Sequence, residues 1–491
     1  MTQKIEEFSS RFGLIAAAIG MAIGAGNIWR FPRLTGQYGG SFLIPWFLFL
    51  FTWSIPLLIA EFSIGKKSRR GTIGSFIKAV GPGYAWMGFF VAFCATAILF
   101  YYSVVCGWSL KYLLLSLSAE IATINHQDYW QQYTTAIYQP LLYHAMSIFI
   151  GGWIIYRGIV GGVEKFSRYI VPLLFILLII SALKALTLVG AGIGLNYFFS
   201  FDRGQLSNHR LWLDALSQSA WSTGAGWGLL LTYATYARKE DKIIGNSFFT
   251  GLGNNIASIF AGLAIIPTVF ALSSSIEAAH ASLDSGNQGL AFITLPQLFF
   301  RMTGGRFFSI IFFAALFFAA LSSLISMIEL AVRILMDFGL KRKRAVMIIV
   351  SLAFLLGAPS AVSLDFFNNQ DWVWGLGLLL SGAFFCFSVI KIGIDRFIDE
   401  WLVPVKYRSF FVITGKLLFY VVIPFEFIAM LSWWLLQSIQ WNPQTWWKPF
   451  STYSLATVLW QWLLIILIGL IFNKKFNRWI HTVNHRIPDQ S

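Results

Sequence analysis

The chain has 491 residues, of which 57% are hydrophobic and only 12% are charged, and its mean hydropathy of +0.68 excludes an ordinary water-soluble globular protein. The net charge of +15 would suit a nucleic-acid-binding protein, but the Lys and Arg residues cluster after every second apolar run. Because basic residues concentrate in cytoplasmic loops, this placement indicates membrane topology with both termini in the cytoplasm, and no nucleic-acid partner. A chain of this length has room for about twelve membrane spans of ~20 residues.

In chain order, the apolar runs predict an all-α polytopic protein of the lipid bilayer. Long connections follow the third and seventh spans, at residues 117–139 and 273–305. The second is predicted to contain short polar and helical pieces, and it is either a lid over an entrance or a plain surface loop. The predicted spans cover approximately residues 11–34, 42–64, 84–116, 140–156, 166–187, 209–236, 243–272, 306–337, 345–360, 372–396, 409–438 and 453–475.

The first span contains residues that disfavour a continuous helix. Its sequence GLIAAAIGMAIGAGNIWRFP places Gly20, Gly24 and Gly26 beside Asn27 and Arg30. Each glycine costs a helix about 1 kcal/mol relative to alanine, and a break at membrane depth is tolerated only where the freed backbone lines a polar cavity or binds something. Gly20 and Gly24 would also suit a close helix–helix contact, but packing does not account for the Asn and the Arg. We therefore expect a broken helix at a binding site.

The sixth span has the same character. Polar residues are followed by alternate glycines, in the order Asp214, Gln218, Ser222, Gly224, Gly226 and Gly228. Two interrupted spans at matching positions of two five-span halves predict an inverted repeat with a binding site at the membrane midplane.

Further polar side chains lie inside the seventh and eighth spans. A single serine often bonds back to its own helix, so each alone is readily explained as structural. Beside two broken helices, however, hydroxyl, amide and carbonyl oxygens are ligands that suit a small hard cation such as Na⁺. The residues are Asn254, Asn255, Ser258, Ser322, Ser323 and Ser326.

Four acidic residues inside or beside predicted spans are singled out as intramembrane candidates: Glu61, Asp214, Glu329 and Asp371. A charged side chain in the membrane costs ~2.5–3.5 kcal/mol on insertion scales, so each is a functional candidate. For Glu61, near a predicted cytoplasmic end, a functional role and a merely solvated or paired side chain both stay open. Asp371, at a predicted outer end, is a candidate partner for Arg30.

Several motifs in this order resemble the neurotransmitter:sodium symporter family, which includes the bacterial leucine transporter. They are RFGLIAAAIGMAIGAGNIWRFP, GGSFLIPW, the Tyr101–Tyr102 pair, RGIVGGVEKFSRYIVP, WLDALSQ…GAGWG, NNIAS, GLAFITLP, FFAALSS and the Asp371 region. The resemblance implies twelve helices, with helices 1–5 and 6–10 as inverted repeats and helices 1 and 6 broken. It divides the chain into segments 1–10 (cytoplasmic), 11–187 (first repeat), 188–208 (extracellular), 209–396 (second repeat), 397–475 (helices 11 and 12) and 476–491 (cytoplasmic tail).

The resemblance also implies two Na⁺ sites. The first would use the Ala22 carbonyl, Asn27, Ser222, Asn254 and the carboxylate of the substrate. The second would use the carbonyls of Gly20, Ile23 and Ala319 with the hydroxyls of Ser322 and Ser323. Because the substrate carboxylate would itself bind the first ion, ion and substrate binding would be coupled.

By the same resemblance the substrate is an amino acid, and gates lie on both sides of it. Arg30 and Asp371 resemble the outer gate, with Trp221 as an aromatic lid, and Tyr236 and Asp337 resemble parts of the inner gate. The implied substrate-binding residues are Ala22, Gly24, Ala25, Gly26, Ile98, Tyr102, Trp221, Ser222, Gly224, Trp227, Ser323 and Met327.

The sequence departs from the leucine transporter at several of these positions. Trp221 and Trp227 replace phenylalanines, which narrows the pocket, whereas Gly224 replaces a serine, which widens it, so the size of the substrate side chain stays open. Gly24 stands at the pocket position where a monoamine substrate would need an acidic side chain as its partner, so the sequence argues against a monoamine. Near the N-terminus Ile5, beside Lys4, replaces an arginine and Phe8 replaces a tryptophan, so the inner gate is expected to be weaker or differently wired.

Ser258 raises the question of chloride. Chloride-dependent members of the family carry serine there, and chloride-independent bacterial relatives carry an acid. The implied chloride ligands are Trp46, Gln218, Ser222, Asn254 and Ser258. Asp214, two turns from Ser222, is an alternative source of negative charge, so chloride-assisted and chloride-independent transport both stay open.

The resulting expectation is a sodium-coupled symporter of a hydrophobic or neutral amino acid, working by alternating access in a prokaryotic inner membrane. The sequence has neither an HExxH nor a G-x-S-x-G motif, which argues against an enzyme. Two alternatives stay open: a sodium- and amino-acid-binding membrane sensor without net transport, and a proton-coupled transporter that would use Glu61 or Glu329.

Overall fold

The computed structural model describes residues 6–402 and 407–484, and this part of the chain is helical, without β-strands. Ile5 and Lys4 lie outside the described residues, as do residues 485–491. The helices are α1 (Arg11–Ala22), α2 (Ala25–Ile28), α3 (Arg30–Tyr38), α4 (Leu43–Phe49), α5 (Ile55–Ser68), α6 (Thr72–Val80), α7 (Ala85–Ser116), α8 (His126–Thr135), α9 (Tyr138–Tyr156), α10 (Lys165–Leu186), α11 (Ala191–Phe199), α12 (His209–Ser222), α13 (Leu229–Ala234), α14 (Ile243–Leu272), α15 (Ile276–Leu283), α16 (Gly286–Gln288), α17 (Leu295–Phe299), α18 (Gly305–Asp337), α19 (Arg342–Val362), α20 (Leu364–Ile392), α21 (Ile394–Phe397), α22 (Arg408–Leu417), α23 (Ile423–Trp441) and α24 (Leu455–Asn484).

Nine segments of the described chain are long and apolar enough to cross a membrane. The predicted first, fourth and sixth spans are not among them. The first and sixth spans are broken into shorter helices. The fourth span corresponds to α9, which is less apolar because it carries Gln, His and Tyr side chains. The all-α membrane architecture is therefore confirmed, whereas the count of twelve spans and the inverted repeat stay predictions.

The long helices α7 and α18 pack against each other at the centre of the molecule, and α22 to α24 lie at its periphery. The peripheral helices leave large apolar side chains uncovered: Phe425 is 71% exposed, Ile428 60% and Ile471 73%. Lipid contact requires an outer surface of this kind, because hydrocarbon tails solvate apolar side chains.

The structure changes several predicted boundaries. Helix α20 begins at Leu364, so Asp371 lies in its third turn rather than at a helix end. Helix α24 continues to Asn484, so the described part of the predicted tail is helical. The predicted connections also contain helices: α8 in 117–139 and α11 in 188–208. Residues 273–305 contain α15, α16 and α17, in agreement with the short helical pieces predicted there.

Candidate functional site

Both predicted helix breaks are present at the centre of the molecule. Helix α1 ends at Ala22 and α2 begins at Ala25, with Ile23 and Gly24 in extended backbone between them. Helix α12 ends at Ser222 and α13 begins at Leu229. The glycines of this second break adopt positive φ angles that disfavour other residues: Gly224 +67°, Gly226 +88° and Gly228 +79°.

The second break is fixed by a buried carboxylate. Glu61 is fully buried and accepts hydrogen bonds from the backbone N–H of Gly226, at 2.6 Å, and of Leu231, at 3.1 Å. Leu231 is in the first turn of α13, where unpaired N–H groups favour negative charge. Of the two interpretations left open for Glu61, a functional candidate or a merely solvated or paired side chain, the second does not hold, because its partners are the backbone N–H groups of a broken helix.

At the first break, Asn27 is held in one orientation. Its side-chain oxygen accepts from the Gly24 N–H at 2.9 Å. Its amide nitrogen donates to Asn254 Oδ1 at 2.7 Å and to Ser258 Oγ at 2.8 Å. Asn254 in turn donates to Ser222 Oγ at 3.0 Å. These bonds join α2, α12 and α14 around one point.

Oxygen atoms converge at that point. Asn254 Oδ1, which accepts from Asn27, lies 2.8 Å from the carbonyl oxygen of Ser222 and 3.2 Å from that of Ala22. Rotating the Asn254 amide by half a turn would relieve this crowding of acceptors. It would also set its NH₂ group 2.7 Å from the NH₂ of Asn27 and its oxygen 3.2 Å from Asn255 Oδ1. Without the rotation, the amides of Asn27 and Asn254 both keep their hydrogen bonds, and Asn254 Oδ1 lies beside the carbonyl oxygens of Ser222 and Ala22. Oxygen atoms this close repel one another unless a cation lies among them.

A second oxygen cluster lies between the first break and α18. Ser322 Oγ is 2.9 Å from the Ala319 carbonyl and 3.4 Å from that of Ile23. Ser323 Oγ is 3.3 Å from the Ile23 carbonyl and 3.1 Å from that of Met21. Gly20 is adjacent, since a Cβ there would lie 3.5 Å from Ser322 Cβ. The Met21 carbonyl is a contact that the sequence did not indicate.

A cavity of about 570 Å³ lies between the two breaks. It is lined by ten of the twelve predicted substrate residues, but not by Ile98, which is fully buried, or by Ala25, whose N–H donates to Tyr102 Oη at 3.0 Å. On one side it continues past the predicted contacts to residues that sequence reasoning missed, namely Asn287, Gln288, Trp434, Trp441, Asn442 and Tyr453. The cavity therefore extends to α16 and to the α23–α24 connection.

The cavity has a polar and an apolar part. A Cβ on Gly24 would lie 2.9 Å from Tyr102 Oη and 3.1 Å from Ser323 Oγ, whereas a Cβ on Gly26 would meet no atom within 4 Å. Space is therefore free beside Gly26. In the apolar part, the rings of Trp221 and Trp227 meet edge to face with centroids 5.7 Å apart.

The predicted outer gate is not paired in this structure. Arg30 and Asp371 both line the cavity, but they do not form an ion pair within 4.0 Å. Arg30 instead donates to Ser217 Oγ at 2.7 Å, and its guanidinium lies 5.9 Å from the ring centroid of Trp221. Asp214 accepts from the Tyr38 hydroxyl at 2.7 Å.

The opposite side is closed by a buried ionic network. Glu329, which is fully buried, pairs with Arg342 at 2.6 Å and accepts from the Tyr236 hydroxyl at 2.6 Å. Arg342 also pairs with Glu6 at 2.9 Å. Tyr236 is part of this network, and the sequence did not indicate Arg342, which donates to the Tyr236 hydroxyl at 3.3 Å and also pairs with Glu6. Asp337 forms a separate ion pair with Arg333 at 3.1 Å.

The N-terminal segment, residues 6–10, is bonded along its whole length. Glu7 pairs with Arg69 at 3.3 Å, and the Phe8 N–H donates to the Tyr236 carbonyl at 3.0 Å. The Ser9 and Ser10 hydroxyls donate to the buried Glu164 carboxylate at 2.7 Å and 2.8 Å. The segment that was expected to gate more weakly or through different contacts is attached by acidic rather than basic side chains.

Two predicted chloride ligands have unused buried donors. Trp46 Nε1 and Gln218 Nε2 are buried and have no hydrogen-bond partner among the described residues. Ser258 Oγ accepts from Asn27 and donates to the Asn254 carbonyl at 3.3 Å.

Comparisons with known proteins agree with this geometry. A sequence profile for the sodium:neurotransmitter symporter family matches residues 5–140 and 139–478. An uncharacterized sodium-dependent transporter of Methanocaldococcus jannaschii is 32% identical over 377 residues, 72% of this chain and 74% of that one. The uncharacterized sodium-dependent transporter YhdH of Bacillus subtilis is 30% identical over 443 residues, 85% of this chain and 93% of that one. The crystal structure of MhsT in complex with L-phenylalanine matches with a TM-score of 0.75 at 30% identity, over 87% of this chain and 99% of that one.

Proposed function

Because the chain belongs to the sodium:neurotransmitter symporter family and is thus a sodium-dependent transporter rather than an enzyme, we propose that it carries a hydrophobic or neutral amino acid together with Na⁺. The observation that carries this proposal is the convergence of the Ala22 and Ser222 carbonyl oxygens on Asn254 Oδ1. Carbonyl and amide oxygens are ligands that Na⁺ accepts. The two carbonyls come from the two broken helices, so the ion would hold both breaks together.

In this proposal the amino acid lies between the two oxygen clusters. Its carboxylate would occupy the free space beside Gly26, within reach of the Tyr102 hydroxyl and of the first Na⁺ at Asn27 and Asn254. The second Na⁺ would lie among the oxygens of Ile23, Ala319, Ser322 and Ser323, next to Gly20. The side chain would meet Trp221, Trp227, Gly224 and Met327 in the apolar part.

The shape of the polar part supports an amino acid over a monoamine. An acidic side chain at position 24 would collide with Tyr102 and Ser323, since even a Cβ would lie within about 3 Å of both hydroxyls. The related MhsT structure contains L-phenylalanine, an α-amino acid with an apolar side chain.

Chloride assistance is part of the proposal. Trp46 and Gln218 each have a buried N–H donor without a partner, and such donors are costly unless an acceptor satisfies them. Asp214, the alternative source of negative charge, is engaged by Tyr38. An anion bound by Trp46, Gln218 and the hydroxyls of Ser222 and Ser258, next to Asn254, would satisfy these donors.

With both termini in the cytoplasm of a prokaryotic cell, the cavity would face outward and the Arg342 network would close the inner side. Alternating access would then require the outer side to close over the substrate and the inner network to break. Proton coupling is less well supported, because Glu61 and Glu329 are held by backbone N–H groups and by Arg342.

The test is a screen of the twenty amino acids against purified protein by scintillation proximity, in Na⁺ or K⁺, followed by uptake into proteoliposomes. We expect an apolar or neutral amino acid to bind only in Na⁺ and to accumulate against its gradient. Binding without accumulation would identify a sensor, and accumulation driven by a pH gradient in K⁺ would identify proton coupling. Absence of Na⁺-dependent binding by any amino acid would overturn the proposal.

A further inference from the structure

A carboxyl group is buried in the membrane-spanning part of the chain outside both oxygen clusters and the cavity. Glu426, in the first turn of α23, is only 6% exposed. One of its oxygens accepts from Thr52 Oγ1 at 2.6 Å. The other oxygen is buried and has no partner, and no cation of the described residues lies within 4.0 Å of the carboxyl group.

This environment suits a neutral acid better than a carboxylate. An ionised carboxylate needs several donors or a cation when it is removed from water, and Glu426 has a single hydroxyl. Intramembrane acids without a charged partner are rare and are functional candidates. The geometry therefore favours a bound proton on Glu426.

The neighbouring elements supply no charge that would replace that proton. Helix α23 packs against α12, α20, α24, the π-helical turn Leu418–Val422 and the π-helical turn Leu50–Ser54. The Leu50–Ser54 turn carries no titratable side chain. The titratable residues of the others are His209, Arg210, Asp214, Asp365, Asp371, Cys386, Lys391, Tyr420, Lys474, Lys475, Arg478 and His481. None of those whose side chains are described forms a hydrogen bond or ion pair with Glu426.

The partner of Glu426 is connected to the second helix break. Thr52 lies in the Leu50–Ser54 turn, and Ser54 in the same turn bonds to the Ser219 hydroxyl at 2.9 Å and to its carbonyl at 3.1 Å. The Thr223 hydroxyl donates to Ser54 Oγ at 3.0 Å. Thr223 is the first residue after α12, so a shift of this turn reaches the break directly. π-helical turns often occur at functional sites.

We propose that Glu426 is a proton-binding site within the membrane and that the Leu50–Ser54 turn transmits its protonation state to the end of α12. Loss of the proton leaves two acceptor oxygens and one donor, Thr52. The second oxygen is then satisfied only by entering water or by movement of the turn, and either change alters the Ser54 bonds to Ser219 and Thr223. High pH would therefore weaken Na⁺-dependent binding.

Infrared difference spectroscopy of the full chain in lipid nanodiscs tests proton binding without relying on transport. The spectrum of wild type minus Glu426→Gln at about pH 7 should contain the C=O band of a protonated carboxylic acid. The control Glu277→Gln, at an exposed position, should show only a carboxylate band. Thr52→Val should keep the acid band and shift it to higher frequency, because the hydrogen bond is lost. A carboxylate band for Glu426, or an acid band that Thr52→Val leaves unshifted, would overturn the proposal.

The pH profile of ²²Na⁺ binding tests the transmission, using the ion alone as the probe. From about pH 6 to about pH 9 we expect wild-type affinity to fall by roughly fivefold or more, a typical coupling between sites. Glu426→Gln should keep the low-pH affinity throughout, and Glu277→Gln should behave as wild type. Identical profiles for wild type and Glu426→Gln would refute the transmission. If no variant binds Na⁺ at any pH, the proposed function fails, and the infrared result still decides proton binding.

Discussion

The Glu61 carboxylate lies 2.6 Å from the backbone nitrogen of Gly226, and this contact joins α5 to the broken segment between α12 and α13. A residue distant in sequence thus determines the shape of a break that the glycines only permit. The same carboxylate holds the first turn of α13 through Leu231.

Glu61→Gln should therefore destabilise the second break. The glutamine amide has one acceptor oxygen in place of two, so at least one buried N–H group loses its partner at a cost of about 1–3 kcal/mol. We expect a lower thermal midpoint and weaker Na⁺ binding, measured by thermal shift with and without Na⁺. Glu277→Gln, at an exposed position, is the control, and an equal effect from both variants would refute this role.

Asn254→Ala should weaken the proposed first Na⁺ site. It removes the amide oxygen that faces the Ala22 and Ser222 carbonyls, and loss of such a contact with a charged group costs about 1.5–3 kcal/mol, or roughly tenfold or more in Na⁺ affinity. Thr250→Ala is a matched control one turn earlier on α14, because its hydroxyl bonds only to the Asn246 carbonyl of its own helix. Unchanged ²²Na⁺ affinity in Asn254→Ala would remove this residue from the site.

Gly24→Ala and Gly26→Ala should differ although they are two residues apart. The new methyl at position 24 would lie 2.9 Å from Tyr102 Oη and should displace that hydroxyl, lowering both thermal stability and substrate affinity. The methyl at position 26 meets no atom within 4 Å, so it should lower substrate affinity alone by filling the cavity. Equal thermal midpoints for the two variants would contradict this assignment.

Glu6→Gln should open the side of the cavity that this structure closes. It removes one charge from the pair with Arg342 and leaves Glu329 in place. We expect labelling of a Thr235→Cys reporter, at a buried position beside Arg69, to accelerate by about fivefold or more, a coupling energy of at least ~1 kcal/mol. Arg408→Gln, which breaks the exposed pair with Asp399, is the control and should leave the labelling rate unchanged.

Ser258→Glu should remove the proposed requirement for chloride. Its carboxylate would supply the negative charge that we assign to the anion near Trp46 and Gln218. Uptake by the wild type is expected to fall when gluconate replaces chloride, and uptake by Ser258→Glu to stay constant. If gluconate leaves wild-type uptake unchanged, chloride assistance is refuted while the Na⁺-coupled function is untouched.

The helix breaks were predictable because glycine acts locally. The clusters at Gly20–Asn27 and Gly224–Gly228 disfavour a continuous helix whatever surrounds them, and their position within apolar spans indicates a binding site. Ser322 and Ser323 were predictable as polar residues in an apolar span, although their carbonyl partners were implied only by family resemblance.

Other features depend on contacts that the sequence does not display. The Arg342–Glu329–Glu6 network joins residues up to 336 positions apart, and no local pattern pairs them. The predicted span begins at residue 372, eight residues after α20 begins at Leu364, and the residues between include Asn368, Asn369 and Gln370. Ser363 caps this helix by accepting from the Phe366 N–H at 3.2 Å, and the cap allows the polar residues to be helical.

The attachment of residues 6–10 bears on leakage of ions. Three separate carboxylates hold the segment: Glu6 to α19, Glu7 to the residue after α5, and Glu164, next to α10, to Ser9 and Ser10. When one of these contacts breaks, the other two still hold the segment. Partial release therefore exposes few groups to water, while the free energy of the broken contact is lost. Residues 6–10 should consequently be either fully attached or fully released. Partly open states would then be rarely populated. It is through such states that Na⁺ would cross the membrane without the substrate.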